Sequence, residues 1–152
     1  MAPGTLALLP GLILTGLLWS LGSWTAYVVG CVVGVIVAIP IASVGEEYEG
    51  RRDPPSVVID EIVALPLCFF VWLWQLQDEL GHWPEWRVFF YGTHGYILLG
   101  HLVLFRLFDI WKPWPVRQAQ VLWRGLGIVM DDVLAALWVN GVWFIVSLFL
   151  FV

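Results

Sequence analysis

The chain has 152 residues, of which 61% are hydrophobic and only 12% charged, with a mean hydropathy of +0.87; soluble proteins carry about a quarter charged residues. This composition predicts an all-α integral membrane helical bundle built as one domain over residues 1–152. The formal charge of −5 gives a nucleic-acid role no support, and in a membrane protein the position of each charge relative to the bilayer matters more than the sum.

A membrane-crossing helix needs about 20 mostly apolar residues, and candidates lie at 6–22, 24–44, 58–77, 88–108 and 127–152, which gives four to five transmembrane helices. The first is short and contains Pro10 and Gly11, so a kinked or re-entrant helix, or a hairpin arm with the second, is the alternative to a full crossing. Its sequence, MAPGTLALLPGLIL, lacks the basic start of a signal peptide and reads as a retained membrane segment. Cys31 and Cys68 sit in apolar runs and are expected to be small buried hydrophobes. Between the spans, GEEYEGRRDPPS, DELGHWPEWR and DIWKPWPVRQAQVLWRG read as loops. His94 and His101 are seven apart on the fourth span and are expected to make interhelical hydrogen bonds, with His82 in a loop.

If all five segments cross, Arg51, Arg52, Arg106, Lys112, Arg117 and Arg124 fall on one side and only Arg87 on the other. The positive-inside rule makes the crowded side cytoplasmic, with the C-terminus outside. Trp19, Trp24, Trp83 and Trp86 would then mark the outer interface, and Trp111, Trp114 and Trp123 the inner one.

Two acidic pairs interrupt otherwise apolar sequence: Asp60 and Glu61 in VVIDEIVALPLCFF, and Asp131 and Asp132 at the start of the last span. Carboxylates at bilayer depth are costly and are functional by default. On the five-span topology these four acids and Asp109 converge from three helices at one depth. Adjacent helix positions differ by about 100°, so one member of each pair is expected to ligate while the other supports or bridges. Ala64 and Ala136, four residues beyond Asp60 and Asp132, leave room for close helix approach. An oxygen-only donor set suits a hard cation, Mg²⁺ before Mn²⁺ or Ca²⁺, as one ion or two. Arg106, Lys112, Arg117 and Arg124 beside the acids point to an anionic substrate, and Gly125 and Gly127 offer a helix start whose amides face phosphate. A non-enzymatic cation transporter is the alternative for intramembrane acids, but it calls for acids spread along the span, whereas these cluster at one end.

The segments DPPSVVIDEIV at 53–63, FRLFDIWKPWPVR at 105–117 and GLGIVMDDVLAAL at 125–137, with APGT at 2–5, resemble bacterial phosphatidylglycerophosphatase A in the right order over most of the chain. The resemblance implies a Mg²⁺-dependent phosphatase of the bacterial inner membrane that hydrolyses phosphatidylglycerophosphate to phosphatidylglycerol and inorganic phosphate in phospholipid biosynthesis. Asp60 and Glu61 match the family's DE motif, Arg106 and Asp109 its FR-x-x-D, Lys112 and Pro113 its KP, and Asp131 with Asp132 its DD. Asp60, Glu61, Asp109, Asp131 and Asp132 are thereby expected to hold the metal. Lys112 and Arg106 are expected to stabilise phosphoryl charge, with Arg117 or Arg124 on the headgroup. Metal-activated water is the expected nucleophile, with a carboxylate that forms an aspartyl-phosphate as the alternative. The chain departs from the family pattern at Pro55, Ala64 and Ala136, where Gly is common, and at Leu6-Ala7, which bears on the loop conformation and the role of Thr5.

Overall fold

The computed structural model describes residues 3–90 and 92–150, with side chains from Leu6 onward, so Thr5 lies outside the described side chains. Among the described residues the fold is all-helical. Helix α1 (Pro3–Trp19) has 17 residues, Pro10 among them, and at about 1.5 Å per residue it falls short of the roughly 30 Å hydrocarbon thickness. A tight turn through Gly22, at φ +75°, leads into α2 (Trp24–Glu49), whose first turn is capped by the Ser23 hydroxyl accepting from the Ala26 amide.

Helix α2 runs five residues beyond its expected end, because GEEYE, read as loop, continues the helix until Gly50. Gly50 adopts φ +65° and its amide returns to Glu46 O, the left-handed stop that glycine provides without a Cβ clash.

The third expected span is not one regular helix. It consists of α3 (Ile59–Ala64), a 3-10 stretch Leu65–Phe69, and α4 (Phe70–Leu80). Pro66 has no amide to continue an α-helical ladder, and the groups freed at this break find partners on neighbouring helices. Asn140 Nδ2 donates to Leu67 O at 2.8 Å, its Oδ1 accepts from the Val71 amide at 2.8 Å, and the Tyr27 hydroxyl donates to Pro66 O at 2.7 Å. Further along, Trp143 Nε1 donates to Gln75, whose Nε2 donates to Ser147.

A second 3-10 turn (Trp86–Phe90) occupies what was expected to begin the fourth span, which instead forms α5 (Thr93–Trp111). A single turn, α6 (Val116–Ala119), then precedes the long α7 (Gly125–Leu150). Helix α7 packs against α2, α3 and α5. At its start Gly125 is pressed so closely onto Ile39 O and Ser43 that any Cβ would collide with them. The crossings of Trp24–Glu49, Ile59–Leu80 and Gly125–Leu150 are each long and apolar enough to span a membrane.

The end of the bundle opposite the acidic cavity is an aromatic cluster. Trp19 is 1% exposed, packs on Trp83 and Phe89, and donates to Pro84 O. It is therefore a core residue rather than an interfacial belt residue; of the expected belt residues, Trp86, Trp111, Trp114 and Trp123 are exposed. His101 also differs from expectation: its Nδ1 contacts Ile97 O at 2.8 Å within its own helix, while its ring stacks on Phe69 and packs against Trp72 and Trp143. These three aromatic rings surround it, and its Nε2 has no hydrogen-bond partner among the described residues. His94 lies against Trp72. Cys31 and Cys68 are free and buried, as their apolar surroundings suggested.

Candidate active site

At the other end of the bundle, α3, α5 and α7 bring their acids to one cavity of about 240 Å³, lined by Asp53, Pro55, Val57, Asp60, Glu61, Arg106, Asp109, Lys112, Asp131 and Asp132. Helix α3 starts at Ile59, so Asp60 and Glu61 occupy its first turn, where the helix dipole favours negative charge. Asp109 and Arg106 sit in the last turns of α5, and Asp131 and Asp132 lie two turns into α7. Asp60, Asp131 and Asp132 are all buried.

The two cations divide the acids. Arg106 Nη1 lies 3.1 Å from Glu61 Oε1 and 2.9 Å from Asp109 Oδ2, tying α3 to α5. Lys112 Nζ donates to Asp131 Oδ2 and stands 3.8 Å from Asp53 Oδ2. Burial works against the Lys112 ammonium, but the hydrogen bond and charge of Asp131, with Asp53 and Asp132 nearby, outweigh it and raise its pKa above the ordinary lysine value. Lys112 can hold this position because it caps α5 in the left-handed region, at φ +49°, with its amide returned to Phe108 O. Asp53 (φ +46°) and Arg124 (φ +46°) are the other non-glycine residues in that region among those described. Such conformations cost on the order of 1–3 kcal/mol each and gather at functional sites.

Within each acidic pair one member is bound to a cation, and each pair keeps at least one buried oxygen without a partner among the described residues. Glu61 Oε1 binds Arg106 and Asp131 Oδ2 binds Lys112, while Asp60 Oδ1, Glu61 Oε2 and Asp132 Oδ2 are buried without a hydrogen-bond partner among the described residues. Buried, unsatisfied carboxylate oxygens are costly, and a hard cation is what such oxygens satisfy. No three His, Cys, Asp or Glu side chains among the described residues are already spaced around one point as ligands. Mg²⁺ is compatible with that, since it keeps several waters and takes only one or two carboxylates directly. The donor set therefore fits a hydrated hard cation held at Asp60 and Asp132, with Glu61, Asp109 and Asp131 around it.

Arg117 and Arg124 are not in this cavity. They line an adjacent one of about 340 Å³ with Glu46, Arg52, Asp53, Gln120 and others. The left-handed cap at Lys112 and the short α6 turn carry the chain away from the acids, and Arg124 is drawn 3.3 Å from Glu47 and over the Trp123 ring. The glycines at the start of α7 do not present free amides either: the Gly125 amide donates to Ser43 Oγ and that of Gly127 to Arg124 O. Asp53, which lines both cavities, was missed as a site residue. Its position at the head of the DPPSVVIDEIV segment was the available signal, and its hydrophilic loop context concealed it.

Fold and cavity together define a polytopic helical membrane protein with a carboxylate-rich, cation-bridged site at one end of the bundle. Residues 1–147 match the family model for phosphatidylglycerophosphatase A. The chain belongs to the phosphatidylglycerophosphatase A family. It is 24% identical over 125 residues to phosphatidylglycerophosphatase A of Escherichia coli K12, covering 82% of this chain and 62% of that protein. It is 30% identical over 138 residues to phosphatidylglycerophosphatase A of Haemophilus influenzae, covering 90% of this chain and 74% of that one. A Bacteroides thetaiotaomicron relative, named for a proposed phosphatidylinositol-3-phosphatase activity, is 34% identical over 87 residues, 57% of this chain and 45% of its own length. The chain thus spans less than two thirds of the E. coli protein. No solved structure matches it.

Proposed function

We propose that this chain is a Mg²⁺-dependent lipid phosphatase that hydrolyses phosphatidylglycerophosphate to phosphatidylglycerol and inorganic phosphate, embedded in the bacterial inner membrane with its site facing the cytoplasm. The observation that carries the reading is the single cavity in which Asp60, Glu61, Asp109, Asp131 and Asp132 meet Arg106 and Lys112, on the segments that carry the family resemblance. When bound, one or two Mg²⁺ ions at Asp60 and Asp132, with Glu61, Asp109 and Asp131, supply charge neutralisation at the phosphate and acidify water.

The chain's own residues account for the remaining requirements. The terminal phosphomonoester brings about two negative charges into a cavity already rich in carboxylates, so positive groups must meet its oxygens. Arg106 offers a planar fork that can exchange a carboxylate for a phosphoryl oxygen, and Lys112 offers a compact charge in the same cavity. Both are held by acids beforehand, which fixes their positions without reorganisation during reaction. Water attacks phosphorus in line as the bond to the glycerol oxygen breaks, and a buried carboxylate accepts the water's proton and passes it to the departing glycerol alkoxide. Direct attack by a carboxylate, giving an aspartyl-phosphate, is the second route; trapping of labelled phosphate on the protein separates the two.

Phosphate release from phosphatidylglycerophosphate by purified protein, with and without Mg²⁺, tests the reading. Release that needs the metal is expected. Release that is absent, or indifferent to chelator, favours the cation-transporter alternative, and phosphatidylinositol 3-phosphate run alongside tests the activity named for the Bacteroides relative.

A further inference from the structure

The cavity beside the acids has the opposite electrostatic character. Arg52, Arg117 and Arg124 contribute three guanidinium groups to it, against Glu46 and Asp53. Arg52 and Arg117 make no ion pair among the described residues, and both are exposed. Asp53 is common to both cavities, so the two adjoin at that residue. A carboxylate-rich cavity takes an anion only together with metal, whereas an arginine-lined cavity takes one without it. Two adjoining cavities of opposite character fit a ligand that carries two phosphates in different chemical environments. Two of the three left-handed non-glycine residues among those described, Asp53 and Arg124, line the second cavity, and its volume of about 340 Å³ is in the range of small-ligand sites.

We infer that the cavity of Arg52, Arg117 and Arg124 is a second phosphate subsite, which receives the phosphodiester of a two-phosphate lipid while the carboxylate cavity receives its terminal phosphomonoester. The inference rests on the phosphatase reading for its catalytic consequence. It makes Arg52 and Arg117 determinants of substrate choice: a lipid with a terminal monoester alone, such as phosphatidate, fills one cavity, and phosphatidylglycerophosphate fills both. No covalent step occurs at the second subsite.

The full chain in phosphatidylcholine nanodiscs is assayed for phosphate release from phosphatidylglycerophosphate and from phosphatidate, as wild type, Arg52→Gln and Arg117→Gln. Arg51→Gln serves as the control, because Arg51 carries the same charge on the same loop but does not line this cavity. Loss of one charged contact is expected to lower the ratio of kcat/KM for the two lipids about tenfold or more, through KM for phosphatidylglycerophosphate, in Arg52→Gln and Arg117→Gln but not in Arg51→Gln. Equal losses on both lipids, or the same change in Arg51→Gln, would reduce these arginines to general attraction for an anionic surface and overturn the inference. A titration independent of turnover uses glycerophosphoglycerol, a soluble phosphodiester, with detergent-solubilised wild type and Arg52→Gln. Binding that is lost in the variant is expected. Absent binding, or binding unaffected by Arg52→Gln, overturns the assignment, as does inorganic phosphate binding equally well with the same arginine dependence. If the wild type releases no phosphate from either lipid, the phosphatase reading fails and the titration alone decides what the cavity binds.

Discussion

Asp60 and Asp132 present unpartnered oxygens to the cavity, whereas Asp131 and Glu61 are each matched to a cation. Substitution by Asn keeps volume and removes charge, so Asp60→Asn and Asp132→Asn are expected to abolish phosphate release while folded protein is recovered in near-normal amount, measured by turnover and size-exclusion yield. Near-normal turnover would remove these residues from the site. Lys112→Ala is expected to lower turnover about a hundred- to a thousandfold, the usual effect of one lost transition-state contact, with Lys112→Arg impaired less; a defect confined to apparent affinity and masked by added anionic lipid would make Lys112 a membrane anchor. The acidic pairs were legible in the sequence because charge in an apolar run has few structural uses. How each pair divides its work was not, since Arg106 reaches back to Glu61 across a gap of 45 positions that only the fold closes. The sequence groups Arg117 and Arg124 with Lys112 around one site, but the chain after the left-handed cap at Lys112 takes them to the neighbouring cavity.

At the level of elements, α7 carries much of the architecture. Its Asn140 joins Leu67 O, the Val71 amide and Ala136 O, and so stabilises the break at Pro66. Asn140→Leu leaves those groups to find other partners in a low-dielectric interior; a loss of about 1–2 kcal/mol is expected, read as a lower midpoint of unfolding in detergent. Gly125→Ala is expected to cost about 1–3 kcal/mol by overpacking, since α2 backbone occupies the space a methyl group would need, and the same measurement checks it. The helices themselves were readable from apolar length, and their ends were not. Glu46 to Glu49 continue α2 because glutamate is a good helix former and Gly50 supplies the stop, while hydropathy alone ends the span where charge begins. The 3-10 stretch at Leu65–Phe69 was invisible for a related reason: its apolar residues look the same in either helix type, and the asparagine that stabilises it lies 73 positions away.

Across the whole molecule, the acids of the cavity lie at one end and the buried Trp19 cluster at the other. Cysteines introduced at Glu47 or Gln118 are expected to react with impermeant reagents from the cytoplasmic face alone, and one at Glu85 from the opposite face; the reverse labelling pattern would invert the orientation. Trp19, Phe69, Trp72, Phe89, His101 and Trp143 fill the far side with rings. That filling bears on the electric field across the bilayer, which does about 2.3 kcal/mol of work per elementary charge moved through 100 mV. A site closed on one side exchanges ions, water and phosphate with the same compartment, so a catalytic cycle carries almost no net charge through the field. Turnover in sealed vesicles should therefore be unchanged when a potential is imposed, whereas a carrier that moved cations past these acids would speed up or slow down with its sign.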